Sequence, residues 1–96
     1  MQDPVAQSPA SLPERLTLEQ AVLALAQLKQ ALAQQPGPAV VLDASALREF
    51  DTSAVAVLLE LRRVLQLQGK SLTVQHGPQR LRDLVALYGV SELLPT

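Results

Sequence analysis

The fold is decided by one stretch, residues 39–75, which reads AVVLDASALREFDTSAVAVLLELRRVLQLQGKSLTVQ. It opens with the apolar run Ala39–Asp43, whose lack of polar alternation is typical of a strand buried on both faces. A helical pattern follows over residues 53–68, with Gly69 placed to end the helix in the left-handed conformation. Ser71–Gln75 is the next predicted strand. Strand, helix and strand in this order predict a right-handed parallel crossover.

A second helix is predicted on the N-terminal side of this stretch. Thr17 and Gln20 have the spacing of a capping box at its start. The helix should end before the Pro-Gly-Pro sequence at 36–38. Between these limits six apolar residues recur at helical spacing: Leu18, Ala21, Val22, Leu25, Leu28 and Leu32.

The two ends of the chain complete the predicted domain. A third helix is expected over residues 79–88, ending at Gly89, whereas residues 1–11 form either a tail or a weak edge strand. The chain as a whole, residues 1–96, is predicted to be a single α/β domain. It should contain a mixed, mostly parallel sheet of about four strands with helices packed on it.

Composition excludes several classes of partner. The net charge is −1, with no run of Lys or Arg, so neither nucleic acid nor an anionic membrane surface is an expected partner. The absence of Cys excludes a disulfide framework and a thiolate metal site. No apolar run approaches the roughly 18 residues that span a bilayer, so membrane insertion is not expected. The N-terminus does not read as a secretory signal, which predicts a cytoplasmic location.

The helix after residue 51 has apolar residues on two faces. At about 100° per residue, one face combines Ala54, Leu58, Leu61 and Leu65 and is expected to pack on the sheet. The opposite face is also rich in apolar residues, which is the usual mark of a partner surface. Either a partner protein docks on this face or neighbouring helices cover it; in an isolated preparation it could pair with itself as a homodimer. Its members are Thr52, Val55, Ala56, Leu59 and Arg63.

Asp51, Thr52 and Ser53 stand together at the start of that helix. Asp51 or Thr52 is expected to cap the helix, and if Asp51 is the cap, Phe50 and Val55 have the spacing of a hydrophobic staple. At least one hydroxyl then remains free. Ser53 and Thr52 are therefore candidate phosphorylation sites, where a phosphate would repel a partner from the apolar face beside it.

Few residues suggest catalysis. Asp43, Glu49 and Asp51 lie close to the carboxyl end of a predicted strand, where ligand sites of α/β proteins form. Three acids in a solvated loop are common, however, and no Lys follows at a suitable strand end, so no catalytic residue, metal or cofactor is expected. His76 is interpreted as a solvated turn residue, and Tyr88 as a packing residue at the end of the last helix.

Two segments carry a resemblance to a known family. VVLDASALREFDTSAVAVLLELRRVLQLQGKSLTV and the later QRLRDLVALYGVSELLP are similar to STAS domains, the sulfate-transporter and anti-sigma-factor-antagonist fold. Ala54 stands where that family usually has Gly, and Pro9 and Pro13 interrupt its N-terminal strands, so the first strand should be short, displaced or missing. Five residues match the family pattern: Asp43, Asp51, Thr52, Ser53 and Gly69.

The resemblance implies a non-enzymatic binding protein of one of two groups. The MlaB-like group comprises accessory subunits that bind the ATPase of an ABC transporter, which with its permease moves phospholipid between the inner and outer membranes and maintains lipid asymmetry. In that group the residue aligned with Thr52 lies at the ATPase contact, and the subunit is cytoplasmic, held at the inner membrane by its partner. The alternative group comprises anti-sigma-factor antagonists, which are phosphorylated on the serine aligned with Ser53.

Overall fold

A computed structural model describes residues 10–94 of the 96-residue chain. The elements alternate between short strands and helices, as the sequence pattern predicts for an α/β domain. In chain order they are β1 (Ala10–Ser11), β2 (Arg15–Leu16), α1 (Leu18–Ala33), β3 (Ala39–Asp43), β4 (Glu49–Phe50), α2 (Thr52–Leu67), β5 (Ser71–Gln75) and α3 (Gln79–Leu87).

The strands form two small parallel groups. One sheet has the order β1-β3-β5, and β2 pairs with β4 separately. In the larger sheet β3 and β5 pair over their full length, from Ala39 opposite Ser71 to Asp43 opposite Gln75. The predicted parallel pairing of the strands on either side of α2 is thus confirmed. All strand pairs within residues 10–94 are parallel, whereas a mixed sheet was predicted.

The N-terminal strand is described from Ala10 onward. Ala10 and Ser11 pair with the end of β3, and Pro13 separates them from β2. Residues 1–9 of the predicted tail lie outside the described residues. Where β1 does not reach, the Gln35 side chain takes its place: its amide donates to the Val41 carbonyl (2.8 Å) and accepts from the Val41 N–H (2.9 Å). The edge of β3 is therefore satisfied by a side chain.

The prediction that β3 is buried on both faces was wrong. Val40 and Leu42 are fully buried, while Ala39 is exposed and Val41 is half-buried. The helices cover only one side of this sheet, so β3 alternates like a strand with one core face. A run of small and β-branched apolar residues does not reveal this alternation.

Side-chain and glycine caps fix the helix ends. Gln20 Oε1 accepts from both the Thr17 N–H (2.9 Å) and the Thr17 hydroxyl (2.6 Å) at the start of α1. Lys70 Nζ donates to the Gln35 carbonyl (2.7 Å) just beyond the end of α1. Gly69 and Gly89 have φ of 75° and 70° after α2 and α3, a conformation that costs other residues energy. The ends of α2 and α3 fall within one residue of the predicted limits.

The core is built from aliphatic residues of all three helices and the sheet. Leu58, Leu61 and Leu65 of α2 pack at its centre together with Leu32 of α1 and Leu81 of α3. None of the helices in the described part of the chain is both long and apolar enough to cross a membrane. Helix α2 packs on the sheet through these core residues. Its N-terminal half reaches the surface between α1 and α3.

Candidate functional site

Asp51 is the N-cap of α2 and also links α2 to α1. Its Oδ1 accepts from the Ser53 N–H at 2.8 Å, and its Oδ2 accepts from the Leu18 N–H at 3.3 Å. The Ser53 N–H lowers the pKa of the Asp51 carboxyl below its ordinary value, and the Leu18 N–H adds to this effect. The carboxylate thus serves the N-termini of two helices at once.

The hydroxyls of Thr52 and Ser53 are at different surfaces, although the residues are adjacent. Thr52 is exposed and lines a groove between α2 and the end of α3. Ser53 is half-buried and lines a separate depression between α1 and α2, which we call the α1–α2 depression. Any modification of one hydroxyl would therefore affect a different surface from modification of the other.

The α2–α3 groove combines most of the predicted partner surface. Its volume is about 340 Å³, and its walls are mainly aliphatic. Four of the five predicted residues line it, and Tyr88 and Val90 contribute the other wall. We use the name α2–α3 groove for the concavity formed by Thr52, Val55, Ala56, Leu59, Tyr88 and Val90.

Of the two alternatives for this face of α2, cover by neighbouring elements applies to Val55. Val55 is only 4% exposed and belongs to the core, and Leu59 is half-buried, whereas Thr52 and Ala56 are exposed. In the structure α3 and the segment after it pack beside α2, so Val55 forms the floor of the groove.

Arg63 lies outside the groove lining and is engaged within its own helix. Its guanidinium donates to Glu60 at 2.9 Å and 2.6 Å. These hydrogen bonds lower the pKa of Glu60 and raise that of Arg63. Because both side chains are on the surface, this pair can exchange partners at little cost.

Sequence reasoning missed Tyr88 and Val90 as groove residues. Tyr88 was interpreted as a packing residue, but it is 55% exposed. Its position follows from the turn at Gly89, after which Val90 returns to the core. A helix stop followed at once by an apolar residue is the signal that could have indicated this return.

Contacts at the start of α3 also fix the position of that helix against α2. The Arg80 guanidinium lies 4.7 Å from the centre of the Phe50 ring, and its Nη2 donates to the Phe50 carbonyl at 3.2 Å. Phe50 is buried directly before the α2 cap, and Phe50 and Val55 occupy the two positions of a hydrophobic staple. The start of α3 is thereby anchored to the residue that precedes α2.

The α1–α2 depression is smaller, with a volume of about 200 Å³. It is lined by Ala56, Ser53 and Val57 of α2, together with apolar residues of α1. Leu18 and Val22, which follow the apolar period of α1, are 74% and 83% exposed. The apolar band of α1 is therefore wider than the part that the core covers.

The predicted carboxylates do not form a ligand cluster. Asp43 accepts from the N–H and the hydroxyl of Ser45, both at 3.0 Å. Glu49 pairs with Arg15 at 2.9 Å, and Asp51 is the helix cap. Over residues 10–94 no three His, Cys, Asp or Glu side chains come together as a metal site would require.

His76 occupies the turn after β5 with a φ of 61°, in the left-handed region. The residue is exposed and immediately precedes the buried Gly77. A non-glycine residue in this conformation is uncommon, although His is among the residue types that adopt it more often.

Comparison with known proteins identifies the family of the chain. A family model described as "Mlab, STAS domain" matches residues 6–95. No curated protein matches the chain. The family match covers both segments on which the resemblance was based and nearly the whole chain. The chain therefore belongs to the MlaB-like family of STAS domains.

Proposed function

We propose that this chain is a non-enzymatic accessory subunit that binds the ATPase of an ABC transporter moving phospholipid between the inner and outer membranes. The observation that carries the proposal is the α2–α3 groove, which combines Thr52, Ala56 and Leu59 with an exposed Tyr88. The family description supports the same class of protein. In this proposal the subunit is cytoplasmic and reaches the inner membrane, and the permease, through the ATPase.

The chemistry of the groove favours a protein side chain as its occupant. Its volume of about 340 Å³ is at the small end of the range for ligand pockets, about 300–1,000 Å³, and it is open to the surface. Thr52 and Tyr88 supply hydroxyls at its edge, while Val55 forms its apolar floor and Leu59 and Val90 its apolar walls. An apolar or aromatic side chain from a partner helix would fill such a groove, with Tyr88 closing over it.

Charged side chains near the groove can orient the partner. Arg63 and Glu60 lie further along α2 and neutralise each other in the free chain. A partner carboxylate could take over Arg63, because exposed pairs contribute little to stability. In this proposal Arg63 sets the direction in which the partner lies along α2 and supplies less affinity than the groove itself.

Regulation follows from selective binding. A subunit that performs no chemistry can change the rate of an ATPase only by binding one of its conformations more tightly than another. The α2–α3 groove would recognise the conformation that presents the matching apolar side chain. Thr52, exposed at the first turn of α2, would mark the edge of that contact.

The experiment is affinity capture from the native cell with four forms of the chain: wild type, Thr52→Ala, Ala56→Arg and Ala86→Arg. Bound proteins are identified and quantified by mass spectrometry. Ala86 is the control because it is also exposed but lies on the other side of α3 from Tyr88. We expect Ala56→Arg to lower recovery of the ATPase and its permease at least about tenfold, because the guanidinium fills the groove.

The smaller change at Thr52 should have a smaller effect. Loss of one hydrogen bond at the edge of the contact predicts a reduction of about threefold to tenfold for Thr52→Ala. Ala86→Arg should recover as much ATPase as the wild type. Equal recovery by all four forms would overturn the assignment of the groove.

The same experiment separates the alternative, an anti-sigma-factor antagonist switched by phosphorylation of Ser53 or Thr52. Capture of a histidine-kinase-like ATP-binding protein in place of a transporter would establish that function. Ser53 is half-buried in the α1–α2 depression, so a kinase would need to displace neighbouring side chains to reach it. The exposed Thr52 presents no such obstacle.

A further inference from the structure

We propose that the exposed face of α1 pairs with the same face of a second copy of this chain, with the two helices antiparallel. The face is apolar where Leu18 and Val22 leave 74% and 83% of their surface exposed. Exposed residues of this size, one helical turn apart, are typical of helix-pairing surfaces. We call this face the α1 stripe, formed by Leu18, Glu19, Val22, Ala26 and Lys29.

The members of the α1 stripe share one side of the helix. At about 100° per residue, Leu18, Ala26 and Lys29 all lie within about 40° of Val22, with Glu19 at the edge. Helix α1 has 16 residues, and its buried side is formed by Ala24, Leu28 and Leu32. The α1 stripe therefore points away from the core along most of the helix.

Charge complementarity selects the occupant and its direction. Glu19 is exposed at the N-terminal end of the stripe, and Lys29, near its C-terminal end, is half-buried within electrostatic range of Glu60 of α2. In an antiparallel pair related by a two-fold axis, Glu19 of each copy meets Lys29 of the other, which gives two ion pairs. A parallel pair would instead place Glu19 against Glu19 and Lys29 against Lys29. The antiparallel arrangement also aligns the helix dipoles favourably.

The same register matches large residues with small ones. In an antiparallel pair about a two-fold axis, moving forward along one helix means moving backward along the other. If Glu19 meets Lys29, a residue three places after Glu19 therefore meets a residue three places before Lys29. Val22 of each copy then meets Ala26 of the other. A side chain as small as Ala26, which is exposed, allows the helices to approach at the usual 8–10 Å. The same antiparallel register thus pairs opposite charges and places a large side chain opposite a small one.

This contact uses different residues from the proposed ATPase contact. None of the residues of the α1 stripe lines the α2–α3 groove. A pair of helices buries less area than the roughly 800 Å² per partner of a standard interface, so the association should be weak. The inference therefore does not depend on the proposed function, and each can fail without the other.

The test is sedimentation equilibrium of the full chain over concentrations reaching about 10⁻⁴ M, where weak interfaces are populated. We expect the wild type to approach twice the mass of the chain. Glu19→Lys and Lys29→Glu should each remain monomeric, because each places like charges at both contacts. Circular dichroism checks that both variants are folded.

Mixing the two variants is the decisive step. A Glu19→Lys chain and a Lys29→Glu chain restore opposite charges at both contacts, so an equimolar mixture should associate about as tightly as the wild type. A parallel pair would also bring opposite charges together in the mixture, but the mixture would then associate more tightly than the wild type, in which like charges would meet. Association as tight as that of the wild type is therefore the result that identifies the antiparallel register. A mixture that stays monomeric while the wild type associates would overturn the proposal.

A second pair of variants tests the apolar part of the contact. Val22→Arg should abolish association without unfolding the chain, because Val22 is 83% exposed. Leu67→Arg is the matched control, since Leu67 is 77% exposed at the far end of α2. Thr52→Ala should leave the mass unchanged. A wild type that is monomeric throughout, or a dimer that survives Val22→Arg, would contradict the inference.

Discussion

Helices α1 and α2 have equal length and similar apolar content but different surroundings. Each has 16 residues, yet six residues of α2 are buried and only three of α1. The difference arises because α2 is covered by the sheet on one side and by α3 on another. Val55, which faces away from the sheet, is buried for this reason, whereas Val22 of α1 is open to solvent. Periodicity identifies apolar faces, but neighbouring elements decide which of them are core.

The two helices consequently offer two kinds of surface. Beside α2, a partly covering neighbour leaves a concave groove with a fixed floor at Val55. On α1, Leu18 and Val22 leave most of their surface exposed beside the α1–α2 depression. A groove suits an inserted side chain from a different protein, whereas an exposed helix face with opposite charges at its two ends suits a copy of itself.

The largest expected effect is the difference in unfolding free energy between removing a buried leucine of α2 and removing an exposed leucine of α1. Leu58→Ala removes a side chain that is 0% exposed, so unfolding in urea should show a loss of about 2–5 kcal/mol. Leu18→Ala removes the same atoms from a site that is 74% exposed and should change the free energy of unfolding by less than about 0.5 kcal/mol. Equal losses for both variants would mean that α1 is covered as fully as α2.

A smaller effect tests the burial of Val55 directly. Val55→Thr keeps the shape of the side chain but buries a hydroxyl, and should cost about 1–3 kcal/mol of unfolding free energy. Val22→Thr is the matched control on α1 and should be nearly neutral, since its hydroxyl stays in water. If Val55→Thr were also neutral, α3 would not cover this position in solution, and the α2–α3 groove would lack its floor.

Much of the fold could be predicted because its signals are local. Thr17 with Gln20, the breaker at residues 36–38 and the positions of Gly69 and Gly89 fix helix ends through the backbone conformation of a few residues. The parallel pairing of β3 with β5 follows from the helix between them. The one-sided burial of β3 could not be predicted, since it depends on which sheet face the helices cover.

The candidate site was less predictable because it depends on contacts distant in sequence. Thr52, Ala56 and Leu59 could be assigned to one side of α2 from periodicity alone. Tyr88 and Val90 join them only because the turn at Gly89 directs the chain back over α2. The exposure of Leu18 and Val22 could not be predicted either, since an apolar period does not say whether a neighbour covers it.

The third expected effect concerns Asp51, the residue that joins the two helices. Asp51→Ala removes the α2 cap and the bond to the Leu18 N–H at the start of α1, so the melting temperature should fall by about 3–8 °C. Asp51→Asn retains the capping geometry and should lower it less. An unchanged melting temperature for Asp51→Ala would show that neither helix depends on this carboxylate.

The dependence on pH distinguishes charge from geometry at this position. The pKa of the Asp51 carboxyl is lowered in the folded chain, mainly by the Ser53 N–H, so its charge stabilises the fold above the ordinary pKa of an aspartate. This contribution is lost as the pH falls below about 4 and the folded carboxyl takes up a proton. Thermal unfolding of the wild type and of Asp51→Asn should therefore converge on acidification. Because both chains carry the same other carboxylates, their difference isolates Asp51. A constant difference at all pH values would mean that hydrogen-bond geometry alone holds the starts of α1 and α2 together.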